Sequence, residues 1–182
     1  MTASGPAPRP EQAADAETLY ERFNSLEIAF TTHLHDAVFT VEEARALRGD
    51  LPGAHCKNLF LKDKKGALYL IVCLEERRID MKALSMLLGA ARLSFGRPEL
   101  LVERLGVEPG SVTPFAVIND VATDDAAVSV VLDADMMQAP LVNYHPLVNT
   151  ATVAMAPSDL IRFLDACRHT PAIIDLAPAT RP

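Results

Sequence analysis

The feature that most constrains this chain is a strand–turn–strand pattern between residues 57 and 74. Leu59, Phe60 and Leu61 form an apolar run framed by Lys57, Asn58 and Lys62. Asp63-Lys64-Lys65-Gly66 is a turn by composition, and residues 67–74 (Ala-Leu-Tyr-Leu-Ile-Val-Cys-Leu) read as a second strand. Two strands joined so tightly must pair antiparallel, because a parallel partner needs a crossover of a dozen residues or more. The rest of the chain therefore has to supply further strands beside this hairpin and helices to cover it.

It contains patterns for both. Pro10 suits the first position of a helix that should end near Asn24, with Leu19, Phe23 and Leu26 on its apolar stripe. Residues 27–32 are a short β-like run. Thr40-Val41-Glu42-Glu43 has the form of a capping box opening a helix to about Arg48, where Gly49 stops it. Residues 79–88 and 98–105 read as helices ended by Gly89 and Gly106. Residues 128–132, the neighbourhood of Tyr144 and residues 150–155 read as strands. Ser158 is placed to cap a helix to about Arg168, and residues 171–175 as an edge strand.

This order is not a strict β-α-β alternation, so the expected fold class is α+β (mixed α/β): a single domain with a mixed, mostly antiparallel sheet and helices packed around it. A length of 182 residues favours one domain. Residues 1–14, small and Pro-rich, are expected to be a disordered extension, residues 15–176 the domain and residues 177–182 a tail.

Charge and composition narrow the function classes. No apolar run approaches the ~20 residues of a membrane span, and the N-terminus lacks the apolar core of a signal peptide. Cys56, Cys73 and Cys167 are too few and too scattered for a disulfide framework or a zinc cluster. A cytoplasmic protein with reduced thiols is the expectation. The net charge is −7, yet residues 57–104 hold ten Lys and Arg against six acids, which leaves −11 for the remainder. That segment is either a solvated face of mixed charge or a local phosphate-binding surface on an acidic protein.

The familiar catalytic signatures are absent: no GxSxG, HExxH, CxxC or GxxxxGK[ST] occurs. His33 and His35 alternate like strand residues without a third ligand at metal-site spacing, so no metal is expected. Cys56 adjoins His55, but neighbours on a strand point to opposite faces and form no nucleophile–base pair. Lys57 opens an apolar strand, either as a snorkelling lysine at the domain edge or as a cation presented at the sheet rim. Gly110-Ser111-Val112-Thr113-Pro114 is a loop whose backbone N–H groups could face an oxygen, or a simple turn. His145, in Asn143-Tyr144-His145-Pro146-Leu147-Val148-Asn149, is either a satisfied core histidine or a site residue.

Three of these segments together carry a resemblance. His55-Cys56-Lys57-Asn58-Leu59-Phe60-Leu61-Lys62-Asp63 resembles the "KNLFL" strand of the YbaK/prolyl-tRNA-synthetase-associated editing domain family. Residues 110–114 are similar to that family's GxxxP loop, and residues 145–149 to its "HP…N" segment. The likeness spans most of residues 15–170 and is closest to the free-standing deacylases of Ala-tRNA(Pro).

The resemblance implies hydrolysis of the ester joining an amino acid to the 3′ adenosine of tRNA, without cofactor or protein nucleophile. It implies Lys57 as the catalytic lysine. It makes Asn58, Gly110, Ser111, Val112, Thr113, Pro114, His145 and Asn149 substrate-binding residues. Lys62, Lys64 and Lys65 become candidates for holding the acceptor stem of tRNA(Pro), with prolyl-tRNA synthetase a possible partner and no membrane involved. Other readings stand beside it: a non-catalytic tRNA- or synthetase-binding module of the same fold, a deacylase of another small aminoacyl-tRNA such as Cys-tRNA(Pro), or a small-molecule binding protein.

Overall fold

The computed structural model describes residues 13–36, 51–121 and 127–180. The hairpin is its centre. β2 (Ala54–Asp63) and β3 (Leu68–Leu74) pair antiparallel, with Lys57 opposite Cys73 and Leu61 opposite Tyr69. β1 (Phe30–Leu34), β4 (Leu93–Phe95), β5 (Ser129–Asp133), β6 (Val142–Tyr144), β7 (Ala151–Met155) and β8 (Ala172–Ile174) complete one eight-stranded sheet. Its order is β1-β7-β6-β2-β3-β5-β8, with β4 joined to β2 off that path. Four pairings are antiparallel and three parallel, the mixed, mostly antiparallel α+β arrangement expected.

Side chains alternate across β2 and β3, so each feeds two cores. Phe60, Leu70 and Val72 face α1 (Ala16–Ser25), α3 (Pro98–Leu105) and α4 (Pro157–Ala166), whose Leu19, Phe23, Leu101, Leu105, Leu160 and Phe163 are buried against them. Phe23 meets Phe115 and Phe163 edge-on, at centroid distances of 5.0 and 5.3 Å. On the other side Leu61, Ile71 and Cys73 pack with Leu84 of α2 (Met81–Leu87) and with Leu176 and Ala179. Ala179 is fully buried and its carbonyl accepts from the Asp80 N–H, so residues 177–180 lie against the body of the domain.

Several boundaries differ from expectation. α1 begins at Ala16, where the Asp15 carboxylate caps it by accepting from the Thr18 N–H at 2.8 Å; Pro10, the expected start, lies outside the described residues. β1 lies three residues later than the β-like run at 27–32. α4 is not capped by Ser158: Pro157 fills its first turn, and Ala156 stands at the cap with no side-chain bond. The short strand β4 and the 3-10 turn Pro114–Asn119 carried no pattern long enough to read. The capping box at Thr40 and the helix to Arg48 lie outside the described residues. No helix among the described residues is long and apolar enough to cross a membrane.

Candidate functional site

The site lies where β2 changes partners. At Ala54 and His55 it pairs in parallel with β6, and from Leu61 onward it pairs with β4. Along residues 56–59 no strand among those described continues this edge, and the sheet opens. Gly53 seats the start of β2 close to β6. Its φ of 102° is a left-handed geometry suited to glycine, and a Cβ there would come within 2.7 Å of the Leu141 carbonyl oxygen. The Ala54 N–H then donates to that carbonyl at 2.8 Å.

Three distant segments meet at the opening. Asn58, on the same face as Cys56 and Phe60, donates from Nδ2 to the Val112 carbonyl at 2.9 Å, tying the 110–114 loop to the strand. The third segment comes from β6 and the turn after it. There Tyr144 is buried and His145 half-buried, and Nδ1 of His145 donates to the Ala151 carbonyl at 2.9 Å. Leu147 holds that turn in the left-handed region at φ 67°, a costly conformation for a branched residue that its burial against the core retains. Cys56, Asn58, Asn143, Tyr144 and His145, with His55 and Thr152, enclose a cavity of about 50 Å³.

In the 110–114 loop, the Ser111 N–H is spent on the Glu108 carbonyl. Thr113 is fully buried and turns its hydroxyl oxygen to the Phe115 N–H at 3.4 Å, and Pro114 starts the 3-10 turn. Among the described residues no hydrogen bond engages the N–H groups of Val112 and Thr113. Gly110 is exposed, at φ 96°.

Other sequence-chosen residues sit elsewhere. Lys57 is half-buried on the opposite face of β2, with the Cys73 side chain, and its ammonium donates to the Arg77 carbonyl. Arg77 is itself fixed by Asp133, whose carboxylate lies 2.6 Å from its Nε. Asn149 is half-buried in the turn after His145 but does not line the cavity. Lys62, Lys64 and Lys65 are exposed toward the far end of the hairpin; at about 3.3 Å per residue, Lys62 lies roughly 13 Å along β2 from Asn58. They form no ion pair among the described residues. The intervening Asp63 is turned inward, accepting from the N–H groups of Lys65, Ala67 and Ala91 at 2.8, 2.9 and 3.2 Å. Burial pushes its carboxyl up, and these bonds outweigh that and hold it below the usual range.

No thiol is poised as a nucleophile. Burial pushes Cys56 up to about 12, and Cys73 and Cys167 each up to about 11, so all three stay protonated at neutral pH. No group of His, Cys, Asp and Glu among the described residues could hold a metal. Asn143 escaped the sequence reading as a site residue. The available signal was a lone amide between Val142 and Tyr144, a polar group on a strand otherwise buried.

A mixed sheet opened at one strand, with a loop and a histidine turn folded into the gap, defines a class of small α+β domains. A solved structure described as a candidate trans-editing enzyme for prolyl-tRNA synthetase shares this fold, with a TM-score of 0.66 and 21% identity, over 88% of this chain and 94% of that one. The model of the aminoacyl-tRNA editing domain family matches residues 35–163, and this chain belongs to that family. Among its relatives, prolyl-tRNA synthetase associated domain-containing protein 1 of Danio rerio is 39% identical over 158 residues, 86% of this chain and 84% of the relative. The prolyl-tRNA editing protein ProX of Acetoanaerobium sticklandii is 34% identical over 161 residues, covering 88% and 96%.

Proposed function

We propose that this protein is a free-standing deacylase that removes alanine from mischarged tRNA(Pro) in the cytoplasm. The observation that carries the reading is the small cavity at the break in the sheet, lined by Asn58 and His145, with the 110–114 loop tied to its wall through Asn58. The relative named a prolyl-tRNA editing protein supports tRNA(Pro) as the substrate class. A cavity of about 50 Å³ suits the small groups on Cα of an alanyl ester, its methyl and its ammonium. Adding contacts to one methyl gains little selectivity, so size exclusion is the better device for rejecting the correct prolyl ester.

The chemistry follows from what the site offers. With every thiol protonated, the nucleophile is a water oriented with the free hydroxyl of the terminal ribose. Its oxygen bonds to the ester carbon, the carbon–oxygen bond to the ribose breaks, and a proton passes to the ribose oxygen. The N–H groups of Val112 and Thr113 are suited to stabilise the negative oxygen that develops between these steps. Asn58 fixes the loop that carries them. Lys57 supplies the cation by leaving the Arg77 carbonyl, a charged hydrogen bond worth about 1.5–3 kcal/mol, and reaching round the edge of β2 that no described strand covers between β6 and β4. Asn149 helps shape the His145 turn, and Lys62, Lys64 and Lys65 hold the acceptor stem.

A single-turnover assay on Ala-tRNA(Pro) tests the proposal. Release of alanine well above the spontaneous rate is expected. Tight tRNA binding without release would make the chain a non-catalytic tRNA-binding module instead.

A further inference from the structure

Two buried acceptors on residues that line the cavity have nothing to accept. The side-chain oxygens of Asn58 and Asn143 are the buried polar side-chain atoms left without a hydrogen-bond partner among the described residues, and both residues line the same cavity. Asn143 is 5% exposed. Neither oxygen can be exchanged with its nitrogen by turning the amide over. Nδ2 of Asn58 donates to the Val112 carbonyl at 2.9 Å, and Nδ2 of Asn143 donates to the carbonyls of Pro52 and Ala54 at 3.0 and 3.2 Å. A flipped amide would set oxygen against oxygen at each site, so these neighbours fix the oxygen, and not the nitrogen, as the unpartnered atom.

An orphaned buried acceptor is costly, and native proteins keep few of them. Two in one small cavity call for a ligand with several donors and no need to accept. A primary ammonium has three N–H donors and no acceptor. We propose that Asn58 and Asn143 together bind the α-ammonium group of the aminoacyl ester. This rests on the deacylase reading and makes Asn143 a specificity-determining residue. Held there, the ammonium fixes the Cα substituents, and with them the ester carbon relative to the 110–114 loop. Substrates lacking the charge lose both bonds and leave the two oxygens orphaned in the complex as well.

The test compares alanyl-tRNA(Pro) with propionyl-tRNA(Pro), which differs only by the missing ammonium. Each kcat/KM is divided by the spontaneous hydrolysis rate of the same ester, since the ammonium also activates the ester on its own. The wild type should favour the alanyl ester by about 10- to 100-fold, the range of a charge-assisted bond. Asn143→Leu should collapse that preference. A variant that slows both esters equally and keeps the preference would overturn the proposal, because Asn143 would then serve only to tie Pro52 and Ala54 together. If Asn143→Leu does not fold, Asn58→Leu is read the same way, and a wild type without preference overturns the proposal by itself. A wild type that cleaves neither ester refutes the deacylase reading. In that case, titration calorimetry with 3′-alanylamido- and 3′-propionylamido-adenosine decides the acceptor pair: tighter binding of the alanyl compound supports it and equal affinity rejects it.

Discussion

Lys57 and Asn58 are adjacent in sequence and face opposite sides of one strand, so they cannot act alike. Asn58 is fixed in the cavity wall, whereas Lys57 is parked on the Arg77 carbonyl. If Lys57 supplies the cation, Lys57→Ala should lower kcat/KM on Ala-tRNA(Pro) by about 100-fold or more, the loss typical of one oxyanion contact, with the fold retained and only the modest fall in melting temperature that loss of the Arg77 bond brings. A fall in melting temperature with near-normal turnover would assign Lys57 to the Arg77 anchor alone. The thiols give the opposite expectation. With Cys56 pushed up to about 12, iodoacetamide at neutral pH should leave the deacylation rate unaltered, and stoichiometric inactivation would reveal a reactive thiol. At this scale the sequence was only partly legible. Alternation along β2 follows from the strand pattern and separates Lys57 from Asn58, but the partner of each side chain comes from segments more than 15 residues away. Asn143 gave no signal beyond its own polarity.

The elements do the positioning, and β2 is the clearest case. Its partner changes from β6 to β4 and so creates the gap that the 110–114 loop and the His145 turn fill. The hairpin, α3 with its Gly106 stop, and the edge strand near residue 173 could be read from local pattern. The parallel pairing of β2 with β6 joins segments nearly 90 residues apart, and no local pattern encodes it. His145 belongs to this scale, since its ring is aimed by the bond to Ala151 and by the turn at Leu147. His145→Ala should raise kcat/KM for seryl and 2-aminobutyryl esters relative to alanyl on the same tRNA. An unchanged ratio with a lower melting temperature would make the residue structural.

A second junction concerns stability. Asp120 ends the 3-10 turn and accepts from Arg104 of α3 at 2.7 Å, from His169 after α4 at 3.0 Å and from the Val128 N–H at 2.7 Å. Burial pushes its carboxyl up, but these bonds outweigh it and hold the group below the usual range. A depressed carboxyl stabilises the fold above its ordinary value of about 3.9, and that contribution is lost as pH falls through the folded value. Asp120→Ala should therefore cost about 3–5 kcal/mol at neutral pH, as expected for a broken buried pair. It should also flatten the acid limb of the unfolding free energy measured against pH; a cost under about 1 kcal/mol, the level of an exposed pair, would contradict this account.

Over the whole molecule, charge and shape combine. The net charge of −7 opposes a polyanion, and the proposed foothold is the set of exposed lysines at the hairpin end, roughly 13 Å or more along the strand from the cavity. Association with tRNA should weaken steeply between about 50 and 200 mM salt. Glu at both Lys64 and Lys65 should raise KM for Ala-tRNA(Pro) and spare a short aminoacyl-adenosine mimic. Equal effects on both substrates would remove the hairpin from the interface. The central claim is that a small cavity at the break in the sheet selects a small amino acid on tRNA(Pro). The direct measurement is the wild-type rate of amino-acid release from Ala-tRNA(Pro) and Pro-tRNA(Pro), side by side at equal enzyme and tRNA concentrations. The account predicts rapid loss of alanine while the prolyl ester decays at its spontaneous rate. Equal release from both, or release from neither, would contradict it.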